Sequence, residues 1–476
     1  MKRFIRYLLV TLLTLGSIGT IYYVYKLNVL EDKIFVLMSI IIGFIWLVFS
    51  YKLLSKRTRK IPRIIFSIIS ILLVVIYGIA CRYTNSTIEY AKKITNINFE
   101  TVNYSVLTLK NNDFNSLFDL KNEKIGFLNS DNNIEKSIST LEKKLDFKVS
   151  KYGEVGSLIG KLYENEISAL VISDSYFTLF EETNVEFIND YKKVYSYSIK
   201  VKTKNDDVKT VDVTKEPFIV YISGTDSRST VSATARSDVN IIAVINPKEK
   251  KVLLINTPRD YYVQLHGTSG IKDKLTHAGV YGIEMSKNTM QDLLDININY
   301  YVKVSFRTVV NLVDAIDGIE IDSDTDFTAT SELTREKCHY TVGVQQLNGD
   351  CALRYARERK TYTTGDRHRG QNQQAVITSI IKKLSNPKYL IRYNRILDSI
   401  NDTMETDLNY DEITSFVKFE LTNLSKWTVE SISLDGEGAM LPTYSMGSNL
   451  PLYVMIPNED SINAAKEKIN EYLSVN

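Results

Sequence analysis

Apolar positions along this chain follow two regimes. As far as residue 83 they form unbroken runs, and beyond it they alternate or recur at helical spacing between polar loops. The first regime holds three runs: YLLVTLLTLGSIGTIYYVY (7–25), IFVLMSIIIGFIWLVFSY (34–51) and IIFSIISILLVVIYGIAC (64–81). Each is 18 or 19 residues long, close to the roughly 20 needed to cross the hydrocarbon of a bilayer as a helix. A single such run is compatible with a buried core helix. Three in succession, joined by short charged hinges, predict a three-helix membrane anchor over residues 1–83. The first run does not read as a cleaved signal peptide, because no small-x-small site precedes Lys26 and two more spans follow.

Beyond residue 83, strand and helix signals alternate. KIGFLN (124–129) reads as a short apolar strand, and IEKSISTLEKKL (134–145) as a helix. FKVSKYG (147–153) predicts a strand, SLIGKLYENE (157–166) a helix, SALVISDSY (168–176) a buried strand and VYSYSIKVK (194–202) a half-exposed one. This βαβ rhythm predicts a small α/β accessory domain over residues 84–204. At the level of fold it is similar to one lobe of an extracellular solute-binding protein. Its NSDNN and SDSYF loops read as turns and helix caps, with no catalytic constellation. Residues 205–216, charged and poor in large apolar residues, read as a linker.

From residue 218 the pattern sharpens. FIVYISG (218–224), DVNIIAVIN (238–246), KVLLINTPRD (251–260) and YYVKVSF (300–306) predict strands. Helices are expected over 276–296, over RTVVNLVDAI (307–316) with a stop at Gly318, over LNGDCALRYARERK (347–360) and over 366–384. The result is a second α/β domain over residues 217–385. Its polar motifs fall at strand ends and helix starts, where open α/β sheets place ligands. Residues 386–476 carry further strand and helix signals but no motif, so they either complete the domain or form a tail.

Composition adds little: 476 residues agree with about three units at roughly 150 residues each, and a net charge of +2 decides nothing by itself. The distribution of charge is more informative. Lys2, Arg3 and Arg6 precede the first run, and Lys52, Lys56, Arg57, Arg59, Lys60 and Arg63 fill the second hinge, with no acid in either segment. The first hinge is balanced, with Lys26 and Lys33 against Glu31 and Asp32. By the positive-inside rule the N-terminus and second hinge are cytoplasmic, so the chain after Arg82 is expected outside the cell membrane. Beside two spans, six basic residues read as topology rather than as a nucleic-acid patch, and no nucleic-acid partner is expected. Cys338 and Cys351 fall on that outer side, where a disulfide persists; their spacing suits a bridge or two buried thiols. No CxxC or His cluster accompanies them to suggest a metal.

Four polar clusters mark the second α/β domain. They are Asp226, Arg228, Arg236 and Asp238; Arg259 and Asp260; Arg354, Arg357 and Arg359; and Asp366, Arg367, Arg369 and Gln373. Any one reads equally well as a surface salt bridge, but four together point to a site. Paired carboxylates suit a hard cation such as Mg²⁺ completed by phosphate oxygens. Several guanidinium groups suit phosphate, to which each gives two parallel hydrogen bonds. The combination implies a metal and a diphosphate. Arg357 and Arg359 diverge by about 200° on a helix, so both reach one ligand only from an extended segment or a helix end. Arg354 and Arg367 read as solvated, and His266 and His277 as structural. The apolar face of Val309, Val310, Leu312 and Val313 fits ordinary core packing or a lipid channel.

With GTDSR, RSDV, NTPRDYYV, KLTHAG, DAIDGIEI, GVQQLNG, ALRYARER and DRHRGQNQQ in this order, residues 218–385 resemble the LytR–CpsA–Psr family of cell-envelope proteins. Three spans followed by an α/β domain are similar to its CpsA-type branch, associated with capsular polysaccharide. The resemblance implies an α/β/α sandwich catalytic domain with a hydrophobic channel for a lipid tail. It implies a phosphotransferase that moves a capsular or teichoic-type glycopolymer from a polyprenyl diphosphate carrier to peptidoglycan. Asp226 and Asp238 map onto the acids of the metal and diphosphate site, with Mg²⁺ or Mn²⁺ as cofactor. Asp226, Asp238 and Arg259 are the expected catalytic residues. Arg236, Arg259, Arg357, Arg359, Arg369 and Gln373 are expected on the diphosphate. The implied partners are the lipid-linked glycan, a peptidoglycan acceptor, membrane lipid and capsule-biosynthesis proteins. One position departs from the family: Asn372 stands where many members carry arginine. Two rival readings remain open at this point, a phosphatase using water at the same site and a membrane regulator of envelope biosynthesis.

Overall fold

The computed structural model describes residues 3–95, 99–183, 186–202, 211–225, 234–331, 334–362, 365–390, 392–423 and 426–474. The three apolar runs form α1 (Arg3–Leu27), α2 (Asp32–Leu54) and α3 (Lys60–Thr95), packed against one another in an up-down-up bundle. All three are long and apolar enough to span a membrane, and Leu15, Ile40 and Ile68 are more than 60% exposed on the outside of the bundle. Lipid is as apolar as leucine, so association between such helices rests on close packing and hydroxyls rather than on hydrophobic burial. Accordingly Gly16 lies against Tyr77, Gly19 against Cys81, and Trp46 Nε1 donates to Thr14 Oγ1 across the bundle at 2.8 Å.

α3 has 36 residues, about 54 Å of helix against about 30 Å of hydrocarbon. The apolar run ends at Cys81, but the helix does not. Its pattern changes from continuous to one-sided, with Thr84, Thr87, Ile88, Ala91 and Ile94 buried. This last part of α3 packs Ala91 and Ile94 against Leu397 and Ile400 far along the chain.

The first α/β unit comprises β1 (Phe99–Leu109), β2 (Lys124–Leu128), α4 (Ile134–Glu142), β3 (Lys148–Tyr152), α5 (Val155–Tyr163), β4 (Ala169–Ser173), α6 (Tyr176–Thr183), α7 (Phe187–Asp190) and β5 (Tyr191–Lys202). The strand order is β3-β2-β4-β1-β5, parallel between β3, β2 and β4 and antiparallel at β1 and β5. The strand and helix signals over 124–202 are borne out. β1 has no counterpart among the expected strands, because its period breaks midway: a register shift falls between Val106 and Leu107. Val102, Tyr104 and Val106 therefore face one core while Leu107 and Leu109 face the other.

The second unit is built on β6 (Phe218–Thr225), β7 (Ser237–Asn246) and β8 (Lys251–Asn256), followed by the short β9 (Tyr262–Val263) and β10 (Asp273–Lys274), α8 (Leu275–Ala278), α9 (Ile283–Leu294), β11 (Tyr300–Ser305) and α10 (Phe306–Ala315). Then come β12 (Ile319–Ser323), β13 (Phe327–Thr330), β14 (Lys337–Tyr340), β15 (Gly343–Leu347), α11 (Gly349–Ala356), α12 (Asp366–Leu384), α13 (Pro387–Leu390) and α14 (Tyr393–Ile400). The chain ends with β16 (Met404–Thr406), α15 (Tyr410–Thr422), β17 (Thr428–Ser433), β18 (Gly436–Thr443), β19 (Gly447–Pro457) and α16 (Glu459–Leu473). The helix expected over 276–296 is split in two at Gly282, whose φ of 104° is open to glycine and strained for other residues.

The main sheet runs β16-β11-β6-β7-β8-β17. β6, β8 and β11 point the same way, because β7 is antiparallel to both β6 and β8 while β11 pairs parallel with β6. One face packs on α8, α9 and α16 through Tyr221, Ile242, Leu275, Met290 and Ile469. The other packs on α12 and α15 through Val220, Leu254, Ile377, Phe416 and Trp427. This is the helix–sheet–helix sandwich expected. Residues 386–476 supply both of its edge strands. At the β17 edge Lys250 fastens α15, lying 2.5 Å from Glu420 and 3.9 Å from the centre of the Phe419 ring.

Beside the sheet, β12 pairs with β15 and β13 with β14. Cys338 and Cys351 are bridged there with Cα atoms 5.6 Å apart, tying β14 to α11. Converting both to serine is expected to cost about 3 kcal/mol, the loop-closure value for a bridge of this length. Thermal denaturation of the detergent-solubilised protein, oxidised against reduced, checks it; equal melting temperatures would refute it.

Candidate functional site

Because β6, β8 and β11 are parallel, their carboxyl ends and the start of β7 meet at one edge of the sheet. That edge carries most of the polar clusters. Asp238, at the start of β7, is largely buried. Its Oδ1 accepts from Arg259 Nη1 at 2.8 Å and from Thr276 Oγ1 at 3.2 Å. Burial alone would push its carboxyl up, but the charges of Arg259, Arg236 and Arg369, with the Thr276 hydroxyl, outweigh it and hold the carboxyl below its ordinary range. The charges of three arginines from three separate motifs therefore act on one carboxylate.

Each is fixed by its backbone. Arg259 sits in the turn after β8, where its carbonyl accepts from the Thr276 N–H at 2.8 Å. The next residue, Asp260, is clamped by the almost fully buried Lys274 at 3.1 Å. KLTHAG thus acts as a brace. Lys274 pins Asp260, Thr276 touches Asp238, and Asp273 holds His277 Nδ1 at 2.7 Å in a fully buried pair. Gly279 completes it: a Cβ there would lie 2.2 Å from the carbonyl of Ala235, so only glycine lets the segment leading to Arg236 pass over it. Arg369 comes from the first turn of α12, whose exposed N–H groups add positive potential. Gln373, four residues on, is buried on the same helical face.

Arg357 caps the C-terminus of α11 and lies 4.1 Å from the centre of the Phe306 ring, at the end of β11. The helix expected over 347–360 starts at Gly349 and stops at Ala356, so Arg357 and Arg359 lie beyond it, as a shared role requires. Arg359 is exposed, and the buried Glu358 between them pairs with Arg354. Arg354 is therefore structural rather than solvated. Arg367 pairs with Asp435 and remains 43% exposed. His277 is structural, as expected, and His266 pairs with Asp292 on the surface. Asn372 is buried and donates to the Tyr355 carbonyl at 3.1 Å, tying α12 to α11. Val313 is core, while Val309 and Leu312 pack beside it. Asp226 and Arg228 lie outside the described residues, and so does the Asp366 side chain.

The first α/β unit also reaches this edge, which its sequence did not reveal. The SDSY and NSDNN loops follow β4 and β2, at the strand ends where such sheets bind ligands. Here they face the second unit instead. Ser173 Oγ lies 3.5 Å from Thr234 Oγ1, two residues before Arg236, and the Tyr176 and Tyr281 hydroxyls are 3.3 Å apart. Asp131, Ser173, Tyr176, Thr234 and Tyr281 enclose a void of ≈ 10 Å³, the room of about one water. Nothing in the polarity of these loops distinguishes a docking surface from a turn.

A family model described as LytR_cpsA_psr matches residues 186–470. Among relatives, a protein of Enterococcus faecalis named polyisoprenyl-teichoic acid–peptidoglycan teichoic acid transferase TagU is 32% identical over 48% of this chain and 72% of its own. One of the same name from Bacillus mycoides is 31% identical over 50% and 76%. A crystal structure of B. subtilis TagV is similar with a TM-score of 0.46 at 26% identity, over 54% of this chain and 98% of that one.

The Asp238–Arg259 pair yields a prediction. A carboxyl held low stabilises the fold above about pH 4 and loses that contribution as pH falls through its own titration. Arg259→Gln should cost about 1.5–3 kcal/mol near neutrality, the worth of a hydrogen bond to a charged group, because Arg236 and Arg369 still act on Asp238. The difference from wild type should shrink as Asp238 protonates. Melting temperatures between pH 3 and pH 7 test this; a gap that does not change with pH would refute it.

Proposed function

We infer that this chain, which belongs to the LytR–CpsA–Psr family, is a membrane-anchored phosphotransferase that moves a cell-wall glycopolymer from a polyprenyl diphosphate carrier onto peptidoglycan. The observation that carries the reading is the convergence of Arg236, Arg259 and Arg369 on the buried Asp238. Guanidinium groups gathered from three motifs suit a diphosphate, to which each can give paired hydrogen bonds. The names of the relatives point to teichoic acid as the polymer, and the three spans with an accessory unit favour the capsular branch.

In the proposed reaction the arginines bind the diphosphate through paired charge-assisted hydrogen bonds, with Arg357, Arg359 and Gln373 completing the grip. A sugar hydroxyl of the acceptor attacks the phosphorus that bears the glycan. A P–O bond forms, the bond to the carrier phosphate breaks, and polyprenyl phosphate leaves with the charge the arginines stabilise. The proton of the hydroxyl passes to a carboxylate. Asp226 and Asp238 are the two carboxylates proposed for that role. Among the described residues no three His, Cys, Asp or Glu side chains gather as a metal cage. Mg²⁺ or Mn²⁺ is proposed to rest on Asp238, Asp226 and phosphate oxygens, the sparse protein ligation typical of Mg²⁺. When bound it would neutralise the diphosphate.

The anchor fits this substrate, which is confined to the bilayer. The folded units meet the anchor on the side of the α1–α2 turn: Tyr410 donates to the Leu27 carbonyl at 3.2 Å and Lys418 pairs with Asp32 at 2.7 Å. The basic α2–α3 turn lies at the other end. This supports a cytoplasmic N-terminus with both α/β units outside the cell membrane, where the Cys338–Cys351 bridge is at home.

Asp238→Asn and Arg369→Gln are each expected to lower transfer of radiolabelled lipid-linked glycan about 10²–10³-fold, the usual cost of one group that stabilises transition-state charge. Wild-type label should end in peptidoglycan. Full turnover by Asp238→Asn would sink the site assignment, and label released as free phosphoglycan would replace the transferase with a phosphatase.

A further inference from the structure

Outside the site, a cleft opens where the anchor meets the second α/β unit. It has a volume of ≈ 510 Å³ and is lined by Ile79, Arg82, Tyr83, Ser86 and Tyr90 of α3, and by Asn394, Arg395 and Asp398 of α14. Its height follows from α3. Arg82 is 22 residues beyond Lys60, about 33 Å of helix, and so stands at the outer edge of a hydrocarbon layer about 30 Å thick. Ile79 and Tyr83, 64% and 49% exposed, form its membrane-side wall, and tyrosine is the residue that partitions to this depth.

We propose that this cleft binds the phosphate head group of a membrane lipid. Arg82 makes no ion pair among the described residues and reaches the cleft from below. Arg395 reaches it from the side. Its acidic neighbour Asp317 is already held by Arg392 at 2.5 Å, so Arg395, at 3.6 Å, is the second partner. The carboxylate in the lining, Asp398, takes a hydrogen bond from Tyr90. Ser86 and Asn394 add neutral donors. Two guanidinium groups over an apolar and aromatic wall, at bilayer height, match an anionic head group whose chains stay in the membrane.

The cleft also has a direction. α14 lies antiparallel to α10, with Arg395 Nη2 near the Asp314 carbonyl at 3.3 Å, Asn311 Nδ2 on the Ser399 carbonyl at 2.9 Å and Thr308 on Thr403. From Asp314 back to Phe306, under Arg357, is eight residues, about 12 Å of helix. The cleft therefore sits below the site along α10. This inference is independent of the transfer reaction proposed above.

The test uses the full-length protein in phosphatidylcholine nanodiscs containing either photoactivatable phosphatidylglycerol or photoactivatable polyprenyl diphosphate. Light should label peptides spanning 79–90 and 394–398. The double variant Arg82→Gln/Arg395→Gln should cut labelling about 25-fold, roughly fivefold per arginine near a membrane surface. Equal labelling with either lipid assigns the cleft to bulk anionic lipid, whereas preference for polyprenyl diphosphate assigns it to the carrier. Equal labelling of variant and wild type overturns the proposal, and so does loss of labelling to an equal concentration of inorganic phosphate. A water-soluble short-chain diphosphate donor bypasses the bilayer, so the variant should keep wild-type turnover on it. If labelling and turnover are lost together, Arg82→Lys/Arg395→Lys must restore labelling or the proposal fails. No turnover by wild type on that donor sinks the transferase reading and leaves the labelling result standing.

Discussion

The charges of three guanidinium groups act on one largely buried carboxylate, and like charges in such a corner repel. The rest of the second α/β unit can be read as what holds them there. Arg236 is positioned by a segment that crosses a glycine at a distance no side chain would allow. Arg259 is fixed through its own carbonyl and through a neighbour clamped by a buried lysine. Arg369 rides on a helix that packs along the sheet. Donors held in place in this way do not have to be reoriented when a ligand arrives. Asp238 lowers the cost of gathering them.

Much of this was legible in the sequence, and unevenly so. The clusters could be found because four of them recur at strand ends and helix starts, although any one alone reads as a salt bridge. The parallel strands then explain why motifs more than 100 residues apart meet. Which arginines did other work could not be read from spacing. Arg354 and Arg367 read as solvated in the sequence, but in the fold they pair with Glu358 and Asp435. Position 372 is similar: its asparagine looks like a lost charge, but in the fold it is a buried tie between helices.

The differences at the level of fold share a cause. β1 is invisible in the sequence because a bulge moves its apolar residues from one face to the other, so no single period describes it. The 276–296 helix is overextended there because hydrophobic spacing continues through a glycine that the backbone uses to turn. Residues 386–476 lack any motif, yet they close both edges of the main sheet. Edge strands need only pairing and a half-buried face, and neither leaves a chemical signature. The polar loops of the first unit, likewise, serve as a docking surface against the segment before Arg236.

α3 runs unbroken from its apolar run to its contacts with Leu397 and Ile400. A flexible tether would let the outer units sample a volume set by chain entropy. A continuous helix removes that freedom and makes elevation a mechanical property of the molecule. Thinning of the bilayer or tilt of the helix, the ordinary responses to hydrophobic mismatch, is then transmitted as a change in the stand-off of the whole outer body. The thickness of the membrane thereby becomes a setting of the machine above it.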